Sequence, residues 1–378
     1  MKKQYLNLVL TLLLFNLSCK EESVGISEKV VESVNVDQGV FKGLKVNLYD
    51  DLTQEDLDKT PEEFIENLNA KNGSSRSNNL HGYEISYEVL MIFFKEKMIN
   101  YPEFNLENRE VRRFGILKKD FPDIKTKEEA IALSDKIVEF YNIKLRNDLL
   151  DEFDTLIHLK KSSKVSDEEE ANAMVITYSA IHPIASVGVY TGRSLANEYT
   201  LLRFSNANFT PNINLSDQIN AYRHASWNMF SVAAMLDAGM SKTDAIGKAR
   251  DFTTLHEMQY VGNTNGIKPS AIPANVYLLH ANWGLKTGND TAMDLSNDAI
   301  GRSLIDNLAS YNIFKGWKNI DRTSIVNVLN SKVSVGVTYR QSNNIIGVYH
   351  SNNWDALASN RFGGINVPFY IIDFINLP

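Results

Sequence analysis

Cysteine is almost missing from this chain of 378 residues, and the only one is Cys19. Beyond that position there is no partner for a disulfide, no thiolate to ligate a metal and no cysteine nucleophile. Dense clusters of Lys and Arg are missing too. With 39 basic against 46 acidic side chains and a formal net charge of -7, a general affinity for nucleic acid or anionic membranes is not expected. After the first twenty residues no apolar run is long enough to span a bilayer, and no internal repeat marks a solenoid. What is present is ordinary globular material. A hydrophobic share of 43% with 22% charged residues suffices for a large core, and the length suggests two domains.

The N-terminus has its own grammar. Lys2 and Lys3 precede an apolar stretch from Leu6 to Leu17, and Ser18 stands before Cys19. This resembles a bacterial lipoprotein signal in which the cysteine becomes the lipid-carrying first residue, although Asn16 departs from the usual Leu. The resemblance implies that residues 1–19 are a signal peptide and that a lipid on Cys19 ties the protein to a membrane. Lys20, Glu21 and Glu22 follow directly and resemble the signal that sends some lipoproteins to the outer face of the outer membrane. A surface-exposed cell-envelope protein is therefore expected.

Residues 20–80 read as tether and linker. A short helix starts at Thr60-Pro61-Glu62-Glu63, and KNGSSRSNN from Lys71 to Asn79 is a flexible spacer. Residues 81–205 read as a helical N-terminal domain and 206–378 as a second helical domain. Near the C-terminus VSVGVTYR and IIGVYH, joined by QSNN, suggest a small β-hairpin. The expected class is mainly α, a helical bundle with an antiparallel helical hairpin at its centre.

That hairpin is DQINAYRHASWNMFSVAAMLDAG followed by SKTDAIGKARDFTTLHE. Ala238-Gly239 ends the first helix, and Ser241 with Asp244 starts the second in the manner of a capping box. His224 and His256 lie at similar distances from the turn, roughly 23–25 Å at 1.5 Å per residue. They should meet at one height on neighbouring helices. Asp217, Asn220, His224, Trp227 or Asn228, and Ser231 form a polar stripe on an otherwise apolar helix. On the second helix Ala245, Ala249, Phe252 and His256 share the core-facing line, with Glu257 beside them. A third helix, TAMDLSNDAIGRSLI, carries Asp294, Asn297, Asp298, Gly301 and Arg302 at similar steps. The His-Glu pair is not a metalloprotease signature, because no histidine completes HExxH.

Together RHAxW (Arg223, His224, Ala225, Trp227), His256-Glu257 and MDxxNxxxGR (Met293, Asp294, Asn297, Gly301, Arg302) resemble an uncharacterised bacterial domain found in secreted and toxin-like proteins. The resemblance covers about residues 205–320 and supplies no reaction. The chain departs from that pattern at Asn220, where Asp is common, and at Asn297-Asp298, where Asn-Asn is common.

Three functional readings follow. In the first, a metal-assisted hydrolase, His224, His256, Asp294 and Asp298 ligate zinc or another divalent ion and Glu257 activates water. Arg223 and Arg302 stabilise developing negative charge, while Asn220, Trp227 and Asn297 support the site. In the second, His224 or His256 is a general base held by Asp294 and acts without metal through water or a serine such as Ser226 or Ser231. In the third, the stripe is a buried polar network that fixes helix register in a non-catalytic binding or adhesion lipoprotein. The remaining histidines read as structural or surface residues.

Overall fold

The computed structural model describes residues 37–49, 52–71, 85, 87–105, 110–160, 173–204, 213–258, 289–309, 311–312, 316–317, 320–333, 337–339 and 370–372. The signal segment, the spacer after Lys71, the proposed boundary near 205 and the second arm of the C-terminal hairpin lie outside these residues. Residues 37–378 form one compact unit.

Two short strands open that unit, β1 (Asp37–Phe41) and β2 (Leu44–Leu48), paired antiparallel through a turn at Lys42-Gly43. Two helices follow, α1 (Gln54–Asp58) and α2 (Pro61–Lys71). The α2 start is the one the sequence indicates: Thr60 Oγ1 accepts from the Glu63 amide, and the Glu63 carboxylate accepts from the Thr60 amide. This segment does more than tether. Phe41, Val46, Leu48, Leu57, Phe64 and Leu68 are all buried in the core. Its apolar residues are split between strand period and helix period, too few of each to stand out in a polar stretch.

The next elements are α3 (Tyr87–Met98), the antiparallel pair β3 (Glu103–Asn105) and β4 (Glu110–Arg112), α4 (Phe114–Asp120), α5 (Lys127–Ala132) and α6 (Ser134–Lys160). The long amphipathic stretch from Lys125 is thus two helices, parted at Leu133. Helix α7 (Ala173–Ile181) stops at His182, and α8 (Pro183–Phe204) begins with proline at its first position, where no amide donor is lost.

Helices α9 (Ile213–Asp237) and α10 (Lys242–Met258) make the central hairpin. At its turn Gly239 has φ of 94°, the Gly239 amide donates to the Leu236 carbonyl and the Met240 amide to the Met235 carbonyl. These two bonds are a Schellman closure, which requires glycine at that position. Ser241 Oγ accepts from the Asp244 amide to start α10. Helix α11 (Asn289–Leu308), a two-residue pair β5 (Tyr311–Asn312) and β6 (Gly316–Trp317), and α12 (Arg322–Val333) complete the bundle. Finally β7 (Val337–Tyr339) pairs in parallel with β8 (Tyr370–Ile372). The arm expected to pair with β7 in a hairpin, residues 345–350, lies outside the described residues.

Helix α9 is the hub, packed against α8, α10, α11 and α12. Close approach is built in at two glycines. A Cβ on Gly192 would lie 2.4 Å from the Ser231 amide nitrogen, and one on Gly301 would lie 2.3 Å from the Ala225 carbonyl oxygen. On the far side of α10, Lys248 Nζ reaches His182 Nε2 (3.0 Å) and the Tyr178 hydroxyl (3.2 Å), and that hydroxyl donates to Asp251 Oδ2 (2.6 Å). This clasp fixes α10 against α7.

Candidate functional site

The polar residues of α9 and α11 meet as a ladder. Asn220, His224 and Asn228 lie four residues apart on α9, and Asp294, Asp298 and Arg302 lie four apart on α11. Four-residue spacing keeps each set on one face of its helix. Each rung joins residues 74 apart in sequence: Asn220 Nδ2 donates to Asp294 Oδ1 (2.6 Å), His224 Nδ1 meets Asp298 Oδ1 (3.2 Å), and Arg302 Nη1 donates to Asn228 Oδ1 (3.0 Å). A constant offset means that the two helices run parallel, with α10 returning antiparallel beside them. Diagonal contacts tie the rungs together. His224 Nε2 lies 3.4 Å from Asp294 Oδ1, and Asn228 Nδ2 donates to Asp298 Oδ1 at 2.7 Å.

Helix α10 supplies the third wall through Thr253 and Glu257, also four apart. Thr253 Oγ1 accepts from Arg302 Nη1 at 3.4 Å, and Glu257 Oε1 lies 4.0 Å from His224 Nδ1. His224, Glu257, Asp294, Asp298 and Arg302 are all buried. Burial opposes a charge on His224, but Asp294 and Asp298, with Glu257 behind them, raise its pKa to about 9.

Among the described residues one trio can share a metal ion: His224, Glu257 and Asp298, whose ligand atoms all lie within 4.8 Å of one another. An ion bonded at about 2.0–2.2 Å holds opposite ligands at most about 4.4 Å apart, so the trio closes on an ion by a few tenths of an ångström. Asp298 Oδ2 is fully enclosed and accepts no hydrogen bond among the described residues. Around the trio stand its orienting groups. Asp294 faces His224 Nε2, so that Nδ1 is the nitrogen presented to the trio. Asp294 is held by Asn220, which in turn accepts from Arg223 Nη2 at 2.6 Å. On the other side Asn228 holds Asp298 and is held in turn by Arg302.

The predicted residues thus divide into groups. His224, Asp298 and Glu257 come together, with Glu257 at ligand range rather than one step back. Asp294 touches the same imidazole from behind. His256 is outside the trio: its ring packs edge-on against Trp227, with centroids 5.1 Å apart, and Trp227 also meets His224 at 6.2 Å. Burial together with the charges of His224, Arg193 and Arg223 pushes its pKa down to about 3. The Trp227 indole donates to the Val189 carbonyl at 3.1 Å, which locks the ring between the two histidines. Arg302 is buried and holds Asn228, whereas Arg223 is exposed at the outer end of the ladder. Asn297 is buried. Thr253 escaped the sequence reading, although Thr253 and Glu257 share a helical face that the spacing alone could have revealed. Ser226 Oγ donates back to the Tyr222 carbonyl of its own helix at 2.5 Å.

Residues 178–336 match a family model described as a domain of unknown function, DUF6973. Every residue of the ladder and of the trio falls inside that span. No curated protein and no solved structure matches the chain.

Proposed function

We propose that His224, Glu257 and Asp298 bind a divalent cation and that the protein is a metal-assisted hydrolase of the bacterial cell envelope, anchored by a lipid on Cys19. The observation that carries this reading is the trio of mutually close ligand atoms, one of whose residues, Asp298, has a fully enclosed Oδ2 without a hydrogen-bond donor among the described residues. A buried acceptor left unpaired costs on the order of 1–3 kcal/mol, and a cation bonded to it removes that cost. The ion would supply an activated water. Asp294 orients His224 from behind, and the Asn228–Arg302 pair orients Asp298. With two oxygen ligands and one nitrogen, the set suits zinc or manganese better than a thiolate-loving ion.

A second reading rests on the raised pKa of His224. Without an ion, an imidazolium at neutral pH would balance Asp294 and Asp298, and the ladder would serve to fix helix register in a binding or adhesion lipoprotein. Metal analysis of the purified protein separates the two. The hydrolase reading expects about one divalent ion per chain, lost in Asp298→Asn and Glu257→Gln and kept in His256→Ala. It also expects cleavage of a simple phosphodiester such as bis-p-nitrophenyl phosphate that falls with the ion. Protein that takes up no stoichiometric zinc or manganese, with a denaturation midpoint indifferent to EDTA, would sink the metal and leave the structural network.

A further inference from the structure

A second feature of α9 lies away from the ladder. Its C-terminal half presents Phe230, Ala233, Ala234 and Asp237 at helical steps, and α8 presents Ile184, Val187, Thr191 and Leu195 in the same way. These two faces line a cavity of about 500 Å³, within the range of about 300–1,000 Å³ common for small-molecule sites. The residues from 230 to 237 are six to thirteen positions beyond His224, so the cavity is roughly 9–20 Å further along the helix at 1.5 Å per residue. It is separate from the proposed ion site.

The hollow exists because side chains are small where helices meet: Ala233 and Ala234 stand where larger residues would fill the space. Phe104 and Ile325 close the apolar walls, and Ile99, 65% exposed, stands at the edge. The charged lining is Lys95, Arg113 and Arg322 against Glu103 and Asp237, an excess of one cation. Glu103 is engaged by Arg112 (3.3 Å) and Arg113 (3.6 Å). Lys95 and Arg322 have no carboxylate partner among the described residues. Lys95 lies over the Tyr190 ring at 4.3 Å, and Arg322 is exposed at the first turn of α12. They enter the lining from different helices, α3 and α12.

Apolar walls with two unpaired cations fit a single-chain amphiphile with an anionic head. The geometry points to a binding site for a long-chain carboxylate, its alkyl chain against Ile184, Val187 and Phe230 and its carboxylate at Arg322 and Lys95. The site does not depend on the ion.

Calorimetric titration of the purified, delipidated full-length protein with dodecanoate and with dodecanol tests it. Dodecanoate should bind saturably at one per chain and more tightly than the alcohol. Arg322→Glu should weaken dodecanoate by about fivefold to tenfold while leaving dodecanol unchanged, as expected for loss of an exposed charge pair with added repulsion. Ala234→Trp should abolish both by filling the cavity. Should that variant lose its helical circular dichroism, Lys95→Glu/Arg322→Glu carries the same test, since both side chains are exposed. No saturable binding, or equal affinity for acid and alcohol with Arg322→Glu silent, overturns the assignment.

Discussion

Replacing Gly301 with alanine sets two effects of opposite sign against each other. Glycine inside a helix costs about 0.8–1.0 kcal/mol relative to alanine, so an unobstructed replacement in α11 would stabilise by that amount. Gly301 is obstructed: the new Cβ would lie 2.3 Å from the Ala225 carbonyl oxygen and 2.9 Å from Ala225 Cα, where ordinary contact begins near 3.4 Å. Both atoms are backbone, so no rotamer change relieves the overlap, and α9 and α11 must part by about 1 Å in a close-packed interior. Overpacking of this kind costs about 1–3 kcal/mol, with rigid backbone at the upper end. The net expectation is a loss of about 2 kcal/mol. Gly247 in α10 is the control, because a Cβ there meets nothing within 4 Å and Gly247→Ala should stabilise by about 0.5–1 kcal/mol. Urea unfolding followed by circular dichroism measures both. The ladder supplies a further readout, since parting α9 from α11 pulls Asp298 from His224 and should weaken zinc binding. A Gly301→Ala protein as stable as Gly247→Ala would refute the close helix contact on which the site geometry rests.

His224→Ala leaves Asp294, Asp298 and Glu257 buried without their imidazole and should cost about 3–5 kcal/mol in EDTA, as for other broken buried pairs; an unchanged midpoint would count against the network. The pH dependence in EDTA has two arms. His224, raised to about 9 from an ordinary 6.5, contributes stability that is complete below about pH 6.5 and is lost as pH rises through 9. His256, lowered to about 3, contributes stability present above about pH 6.5 and lost as pH falls toward 3. Unfolding midpoints against pH should therefore lose the alkaline arm in His224→Ala and the acidic arm in His256→Ala, and a variant that keeps its arm contradicts the assignment. Asn220→Asp replaces a donor 2.6 Å from Asp294 Oδ1 with a second carboxylate. It should destabilise the ion-free protein by about 1–3 kcal/mol through repulsion and the lost bond; a stabilised ion-free variant would be inconsistent with that contact.

The helical hairpin was readable because its signals are local: Gly239 can close α9, Ser241 can cap α10, and similar distances from the turn bring His224 and His256-Glu257 to one level. The pairing of α9 with α11 was readable in outline from two polar stripes with four-residue spacing. The choice between His256 and Glu257 was not. Ala245, Ala249 and Phe252 set a line that His256 extends, and all three are buried. Yet α10 is enclosed by α7, α8, α9 and α11 together, and Thr253, Thr254, Leu255 and Glu257 are buried as well. When most of a helix circumference is inside, the apolar line no longer says which face meets a given neighbour. Adjacent residues point about 100° apart, enough to send Glu257 to His224 and His256 to Trp227. Residues 37–58 were read only as tether for another reason. Their strand and helix pieces are each too short to show a period, and they fold because the core along α6 is there to receive them.

The ladder is an expensive way to hold two helices together. Buried charged networks are often matched or bettered in stability by apolar residues of the same volume, and α9 already has close contacts at Gly192–Ser231 and Gly301–Ala225 to fix its neighbours. Register between α9 and α11 needs no three carboxylates. If the network existed only for register, its acceptors should be fully paired, because a partly satisfied buried network is worse than none. Asn228, itself held by Arg302, does satisfy Asp298 on one oxygen, and Asn220 satisfies Asp294. The oxygen left over, Asp298 Oδ2, belongs to the residue that shares a metal-sized volume with His224 and Glu257. Donors are thus supplied to one oxygen of Asp298 and withheld from the other, and that asymmetry favours a cation over a purely structural network.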